Sequence, residues 1–224
     1  MRFRSLLYVV FPLALAPCAW ADPITYGVTV DTSSISGTTG SLDFNFNPGP
    51  SVTQSASLQI LNFTSAETLV TCAANVQGFC PTGDVSGTLP GTLTFDNGTA
   101  FNDYFDGFTF GTTISFDVSF YGPALSAPDG VSTSSSTFAF SMFSDAAGTI
   151  PALTSDLLDG FAATIGVNLD GTTTVTNFSP DTGVSAVPEP SSFVLIGTAM
   201  GALLWFRRSR PRVSGSRCTK EPLA

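Results

Sequence analysis

Residues 113–122 read TISFDVSFYG, and apolar and polar side chains alternate along the stretch. Successive side chains of a β-strand point to opposite faces, so this period of two predicts a strand with one buried face and one solvent-facing face. The apolar face carries Ile114, Phe116, Val118 and Phe120, and the polar face carries Ser115, Asp117 and Ser119.

The same period recurs on both sides of this strand. It appears in ITYGVTVD (24–31), SLDFNFN (41–47) and ATIGVNLDG (163–171). Asp170–Gly171 and Asn97–Gly98 have the residue types of tight hairpin turns. A short helix is indicated only in PALTSDLLDGFAAT (151–164). Many short strands without βαβ alternation predict an all-β fold, an antiparallel β-sandwich or jelly-roll-like ectodomain over residues 22–180.

Charge is distributed unevenly along the 224 residues. All eight lysines and arginines lie near the ends, and no Lys, Arg or His occurs between Ser5 and Phe206. Phosphate contacts need cationic side chains, so nucleic acid is not expected as a partner of this acidic body. Ser-His-Asp, Cys-His and Ser-Lys nucleophile systems are excluded within it. We therefore predict no enzyme activity, no catalytic residue, no cofactor and no metal.

The N-terminus has the features of a secretory signal peptide over residues 1–21. Two arginines precede an apolar run, and Ala19 and Ala21 provide the small-x-small pattern of a signal-peptidase site before Asp22. Signal peptidase is thus an expected processing enzyme, and the body is expected to be exported.

The C-terminus repeats a hydrophobic-then-basic pattern. Residues 181–190 are rich in Gly, Ser and Pro, which predicts a stalk. Residues 191–206 carry no charge and predict a short transmembrane helix, and residues 207–224 form a basic tail. The positive-inside rule places that tail in the cytoplasm and the body in the periplasm. The basic stop-transfer cluster consists of Arg207, Arg208, Arg210 and Arg212.

A Pro-Glu-Pro triplet stands immediately before the apolar segment, in Val187, Pro188, Glu189 and Pro190. Triplet, apolar run and arginine cluster in this order resemble the PEP-CTERM sorting signal of Gram-negative bacteria. The resemblance implies an exosortase as processing partner, transient anchoring in the inner membrane, cleavage near the triplet, and a final location at the cell surface or outside the cell. It covers about the last tenth of the chain.

Two cysteines, Cys72 and Cys80, lie within the predicted exported body. In an oxidising compartment they are expected to form a local disulfide that closes the loop CAANVQGFC. Their spacing is neither a CxxC redox motif nor a zinc motif.

The segment FDNGTAFNDYFDGFTFG (95–111) mixes aromatic and acidic residues. Tyr104 and Phe108 with Asp103 and Asp106 form a candidate ligand face, in which the rings would stack on sugars. The acids would alternatively bind Ca²⁺ with help from Asn97 and Asn102. The other interpretation places the rings in the core and the acids in turns.

Three functions are compatible with the sequence. The first is a non-enzymatic surface or extracellular-matrix protein sorted by an exosortase. The second is a carbohydrate-binding module, with exopolysaccharide as a partner. The third is a carboxylate-dependent glycoside hydrolase that uses two acids from among Asp96, Asp103, Asp106 and Asp117. The first is favoured because the others lack a specific motif.

Overall fold

The computed structural model describes residues 23–66 and 80–188, together with residues 197, 198, 200 and 201. A 3₁₀ turn covers Ser33–Ile35 and the helix α1 covers Pro123–Ser126. The strands are β1 (Ile24–Asp31), β2 (Thr39–Pro48), β3 (Ser57–Ser65), β4 (Cys80–Thr82), β5 (Val85–Gly87), β6 (Leu93–Asp96), β7 (Asp103–Thr109), β8 (Thr113–Tyr121), β9 (Ser136–Phe143), β10 (Phe161–Val167), β11 (Thr173–Asn177) and β12 (Thr182–Ala186).

Within residues 23–66 and 80–188 these strands form two antiparallel six-stranded sheets. Sheet A has the order β12-β1-β8-β3-β6-β5, and sheet B has the order β11-β10-β9-β2-β7-β4. The pairs β1–β8, β2–β7 and β3–β6 are nested, as in a long hairpin rolled into two layers. Nested pairing of this kind occurs in jelly rolls. The predicted all-β fold of two antiparallel sheets is confirmed.

Phenylalanine rings join the inner faces of the two sheets. Phe116 of β8 lies 5.2 Å from Phe44 of β2 and 5.0 Å from Phe140 of β9, measured between ring centroids. Phe120 and Phe46 make a similar contact at 6.1 Å. Edge-to-face pairs add about 0.5–1.5 kcal/mol each to the free energy of burial. Since the body has no cationic side chain, aromatic burial and the backbone ladders hold it together.

Strand prediction from alternation is accurate where the strand is long. β1 and β8 cover the predicted stretches, and β2 (Thr39–Pro48) extends slightly beyond the predicted 41–47 at both ends. The strand predicted over residues 163–171 ends earlier than expected. β10 ends at Val167, and Leu169 is half exposed in the turn to β11. Gly171 has a φ of 82° in that turn, which agrees with the predicted Asp170–Gly171 hairpin.

Three local predictions are wrong. Asn97–Gly98 does not make a hairpin, because it connects β6 of sheet A to β7 of sheet B. Residues 151–160 form turns rather than a helix, and Leu157 and Leu158 stay exposed, so no apolar helical face exists there. The predicted stalk at 181–190 contains the strand β12, which pairs with β1 along its whole length.

Several predictions lie outside the described residues. These are the signal peptide with its cleavage site at Ala19, Ala21 and Asp22, Cys72 of the proposed disulfide, Glu189 and Pro190, most of the helix at 191–206, and the basic tail with its four arginines. Among the described residues, none of the helices combines the length and the apolar character that a membrane span requires.

Candidate functional site

The predicted ligand face belongs to β7, and the strand divides its residues between two surfaces. Tyr104, Asp106 and Phe108 point into the sandwich, where both rings are fully buried. Asp103 points outward from sheet B. Because alternate residues of a strand face opposite ways, the four side chains do not share an exposed face. Both rings are therefore core residues, as the second interpretation of this segment predicts.

Asp106 is a carboxyl group held inside the core. Its Oδ2 accepts a hydrogen bond from the Tyr104 hydroxyl at 3.2 Å, and the Tyr104 oxygen accepts one from the Leu89 amide at 3.1 Å. Burial raises the pKa of Asp106 to about 6, against the stabilisation of its charge by the Tyr104 hydroxyl and the Gly107 amide. Burial likewise raises the pKa of Tyr104 to about 12, so its hydroxyl remains a donor at neutral pH.

Asn97 and Asn102, the predicted calcium helpers, are occupied by structural hydrogen bonds. The Asn97 amide nitrogen donates to the Gln54 carbonyl at 2.8 Å and to Ser136 Oγ at 2.7 Å. The Asn102 amide nitrogen donates to the Phe46 carbonyl at 2.9 Å, and its oxygen accepts from the Asp84 amide. These bonds join loops to the sheets, so both asparagines are structural.

The acids considered for hydrolysis are also dispersed. Asp96 and Asp117 lie on the outer face of sheet A, where they bond to Ser57 and Asn62. Asp106 is in the core, and Asp103 is on the outer face of sheet B. No pair among these four faces a common cleft, which a glycosidase needs.

A different pair of carboxyl groups meets on the outer face of sheet B. Asp43 of β2 and Asp103 of β7 lie within hydrogen-bonding reach of each other, and Asp43 Oδ1 accepts from the Asn45 amide nitrogen at 2.7 Å. Burial raises the pKa of both, and the hydrogen bond and charge of Asp43 add to the effect at Asp103, whose pKa rises to about 9. Two carboxylates in contact need a proton or a cation between them. No local pattern in the sequence indicates this pair, because Asp43 lies sixty residues from Asp103.

Buried polar atoms without a partner collect on this same face. Among the described residues the unpartnered side-chain atoms are Asn45 Oδ1, Asp103 Oδ1, Ser141 Oγ and Thr182 Oγ1. The first three share the outer face of sheet B, since Asn45 is directly opposite Asp103 and Asp43 is directly opposite Ser141. Thr182 is opposite the core residue Val30 instead. No group of three or more His, Cys, Asp or Glu side chains is placed to hold a metal within the described ranges.

A groove of about 480 Å³ opens beside the carboxyl pair. It is lined by Asn45 and Asn47 of β2, by Thr137 of β9, and by two phenylalanines, Phe101 and Phe161. Phe101 is 54% exposed, which is unusual for an aromatic ring in this body. The volume falls within the range of about 300–1,000 Å³ that is typical of ligand pockets.

The last strand leads directly into the C-terminal signal. β12 ends at Ala186, the Val187 amide still donates to the Thr25 carbonyl at 2.8 Å, and the compact unit that contains the strands ends at Val187. Residues 186–208 match the family model for the PEP-CTERM protein-sorting motif. The chain carries a PEP-CTERM sorting signal. That signal is the mark of an exported, exosortase-sorted protein that is membrane-anchored before processing. No curated protein and no solved structure matches the chain.

Proposed function

We propose that the protein is a non-enzymatic component of the cell surface or extracellular matrix, delivered there through exosortase processing of its PEP-CTERM signal. The observation that carries this proposal is the sorting motif at residues 186–208, which begins where the last strand ends. The body is in the periplasm while the chain is anchored, and it reaches the surface or the medium after cleavage.

The position of the signal suits cleavage without damage to the fold. The twelve strands that the structure describes all lie before Val187, which is 41% exposed, and the triplet follows at once. Removal of the chain beyond Pro190 leaves every described backbone ladder intact. The absence of His and Lys from the body and the burial of Asp106 support a role without catalysis.

The test is the intact mass of the protein recovered from its host, with mapping of the C-terminal peptide. We expect a chain that begins at Asp22 and ends near Pro188–Pro190. A variant with alanine at Pro188, Glu189 and Pro190 is expected to keep residues 191–224, whereas the control Glu221→Ala is processed normally. Retention of the tail in the unaltered protein would show a permanent membrane anchor and overturn the proposal.

The groove favours a second function, binding of a neutral polysaccharide. An exposed ring next to amide and hydroxyl groups fits a ligand with one apolar face and many hydroxyls. The nearby acids and the lack of cations disfavour a polyanion. This site uses Phe101 and Phe161 rather than the buried Tyr104 and Phe108.

Retention on insoluble polysaccharide from the host matrix tests this function. Phe101→Ala and Phe161→Ala are expected to lower retention at least about tenfold, by loss of stacking contact. Leu158→Ala, which removes an exposed apolar side chain that does not line the groove, serves as the matched control. Equal retention of all variants would rule out the groove as the binding site while leaving the sorting proposal untouched.

A further inference from the structure

The carboxyl pair Asp43–Asp103 has no cationic side chain available to neutralise it. The sequence has no Lys, Arg or His between residues 5 and 206, and every strand of the body lies within that interval. Both carboxyl groups are partly buried in the outer face of sheet B, and uncompensated negative charge is costly where water is partly excluded. Their charge therefore has to be balanced by something that the folded body does not itself contain, a proton or a metal ion.

Two further oxygen atoms beside the pair have no partner. Ser141 is 1% exposed, and its Oγ makes no hydrogen bond. It is directly opposite Asp43 in the β2–β9 ladder, so the two side chains leave the same face with Cβ atoms about 4.5–5.5 Å apart. Asn45 Oδ1 is equally unpartnered and lies opposite Asp103 in the β2–β7 ladder.

A proton alone does not account for this arrangement. A proton shared by Asp43 and Asp103 satisfies those two carboxyl groups but leaves the oxygens of Asn45 and Ser141 without a partner. An unsatisfied buried polar group costs about 1–3 kcal/mol. A cation that accepts electron pairs from all four side chains satisfies every one of these oxygens.

The donor set identifies the class of cation. Carboxylate, amide and hydroxyl oxygens are hard ligands, and the site has neither imidazole nor thiolate for a transition metal. Ca²⁺ accepts six to eight oxygens in flexible geometry and completes its shell with water. We propose that Asp43, Asp103, Asn45 and Ser141 form a Ca²⁺-binding site on the outer face of sheet B.

The composition of the site also sets its strength. Two carboxylates are fewer than a high-affinity calcium loop uses, so the dissociation constant is expected in the range of about 10⁻⁴–10⁻³ M found for extracellular modules. Asn45 belongs both to this site and to the lining of the groove. Bound Ca²⁺ therefore holds the Asn45 side chain in one orientation where it lines the groove.

Calcium titration of the exported protein, after removal of metal with EDTA, tests the proposal. We expect measurable heat on addition of CaCl₂ and a rise in the melting temperature. Asp43→Asn and Asp103→Asn are expected to weaken binding at least about tenfold, since each removes a charged ligand. Asp159→Asn, which removes an exposed charge at the groove, is expected to bind Ca²⁺ as the unaltered protein does.

Two results would overturn the site. Absence of heat and of any melting shift up to about 10 mM CaCl₂ would show that the pair holds only a proton. An equal response in Asp103→Asn would show that Ca²⁺ binds elsewhere. Should an aspartate variant fail to fold, Ser141→Ala and Asn45→Ala take its place, and an undiminished calcium response in both would equally refute the proposal.

Discussion

The outer faces of the two sheets carry the same kinds of polar side chain, but these side chains are hydrogen-bonded to one another on sheet A and partly unpartnered on sheet B. On sheet A, Thr25 bonds to Ser119 at 3.0 Å, Thr64 bonds to Ser115 at 2.6 Å, and the Asn62 amide donates to Asp117 at 2.7 Å. On sheet B, Asp43 and Asp103 lie diagonally beside each other, and Asn45 and Ser141 keep unpartnered oxygens. The polar groups on sheet A satisfy one another and need no ligand. Those on sheet B leave oxygen atoms that a bound cation would satisfy.

The largest expected effect on stability comes from Asp106, whose carboxyl group lies in the core between these two outer faces. Its pKa is about 6 in the folded state against 3.8 ordinarily, so between these values the folded state binds more protons than the unfolded state. The associated stability is fully present below pH 3.8 and is lost as the pH rises to 6. We expect the unaltered protein to lose about 3 kcal/mol relative to Asp106→Asn between pH 3.5 and 7.

Urea unfolding of both proteins at pH 3.5 and at pH 7 measures that difference. The constant cost of an amide in the core cancels when the two pH values are compared. Parallel pH profiles would mean that the Asp106 carboxyl is solvated rather than buried.

Neutralising one acid on each outer face is expected to change stability in opposite directions. In EDTA at pH 7, Asp43→Asn should raise the free energy of unfolding by about 1–2 kcal/mol, because the amide accepts from Asn45, donates to Asp103 and removes the repulsion that forces the folded pair to take up a proton. Asp117→Asn should lower it by about 0.5–1 kcal/mol, because the Asn62 bond loses its charged acceptor. Changes of the same sign, measured by urea unfolding, would abolish the distinction between the faces.

Removal of one hydroxyl group from each outer face is expected to give the smallest changes in stability. Ser141→Ala deletes a buried hydroxyl that has no partner and should stabilise the metal-free protein by about 0.5–1 kcal/mol. Ser115→Ala deletes the partner of Thr64 at the surface and should cost about 0.5 kcal/mol. Thermal melting of the two variants side by side suffices, and a stability loss in Ser141→Ala would reveal a hydrogen bond that the structure does not show.

The sequence predicts the strands well and the surroundings of the site poorly. Period-two alternation locates β1, β2 and β8 because it depends only on neighbouring residues. It places Tyr104 and Asp103 in one segment but says nothing of which face is covered. Asn97–Gly98 has the composition of a hairpin, yet the segment passes from one sheet to the other, which only distant pairings determine.

By itself, the sequence determined the all-β class, the acidic character of the body and the sorting signal, because each depends on local composition or on a contiguous motif. Tertiary structure decided that β12 belongs to sheet A, that Tyr104 and Phe108 are core residues, and that Asp43 meets Asp103. These outcomes depend on strand order and register, which join residues far apart in the chain. No local pattern encodes such pairings, so the candidate cation site emerges only from the folded chain.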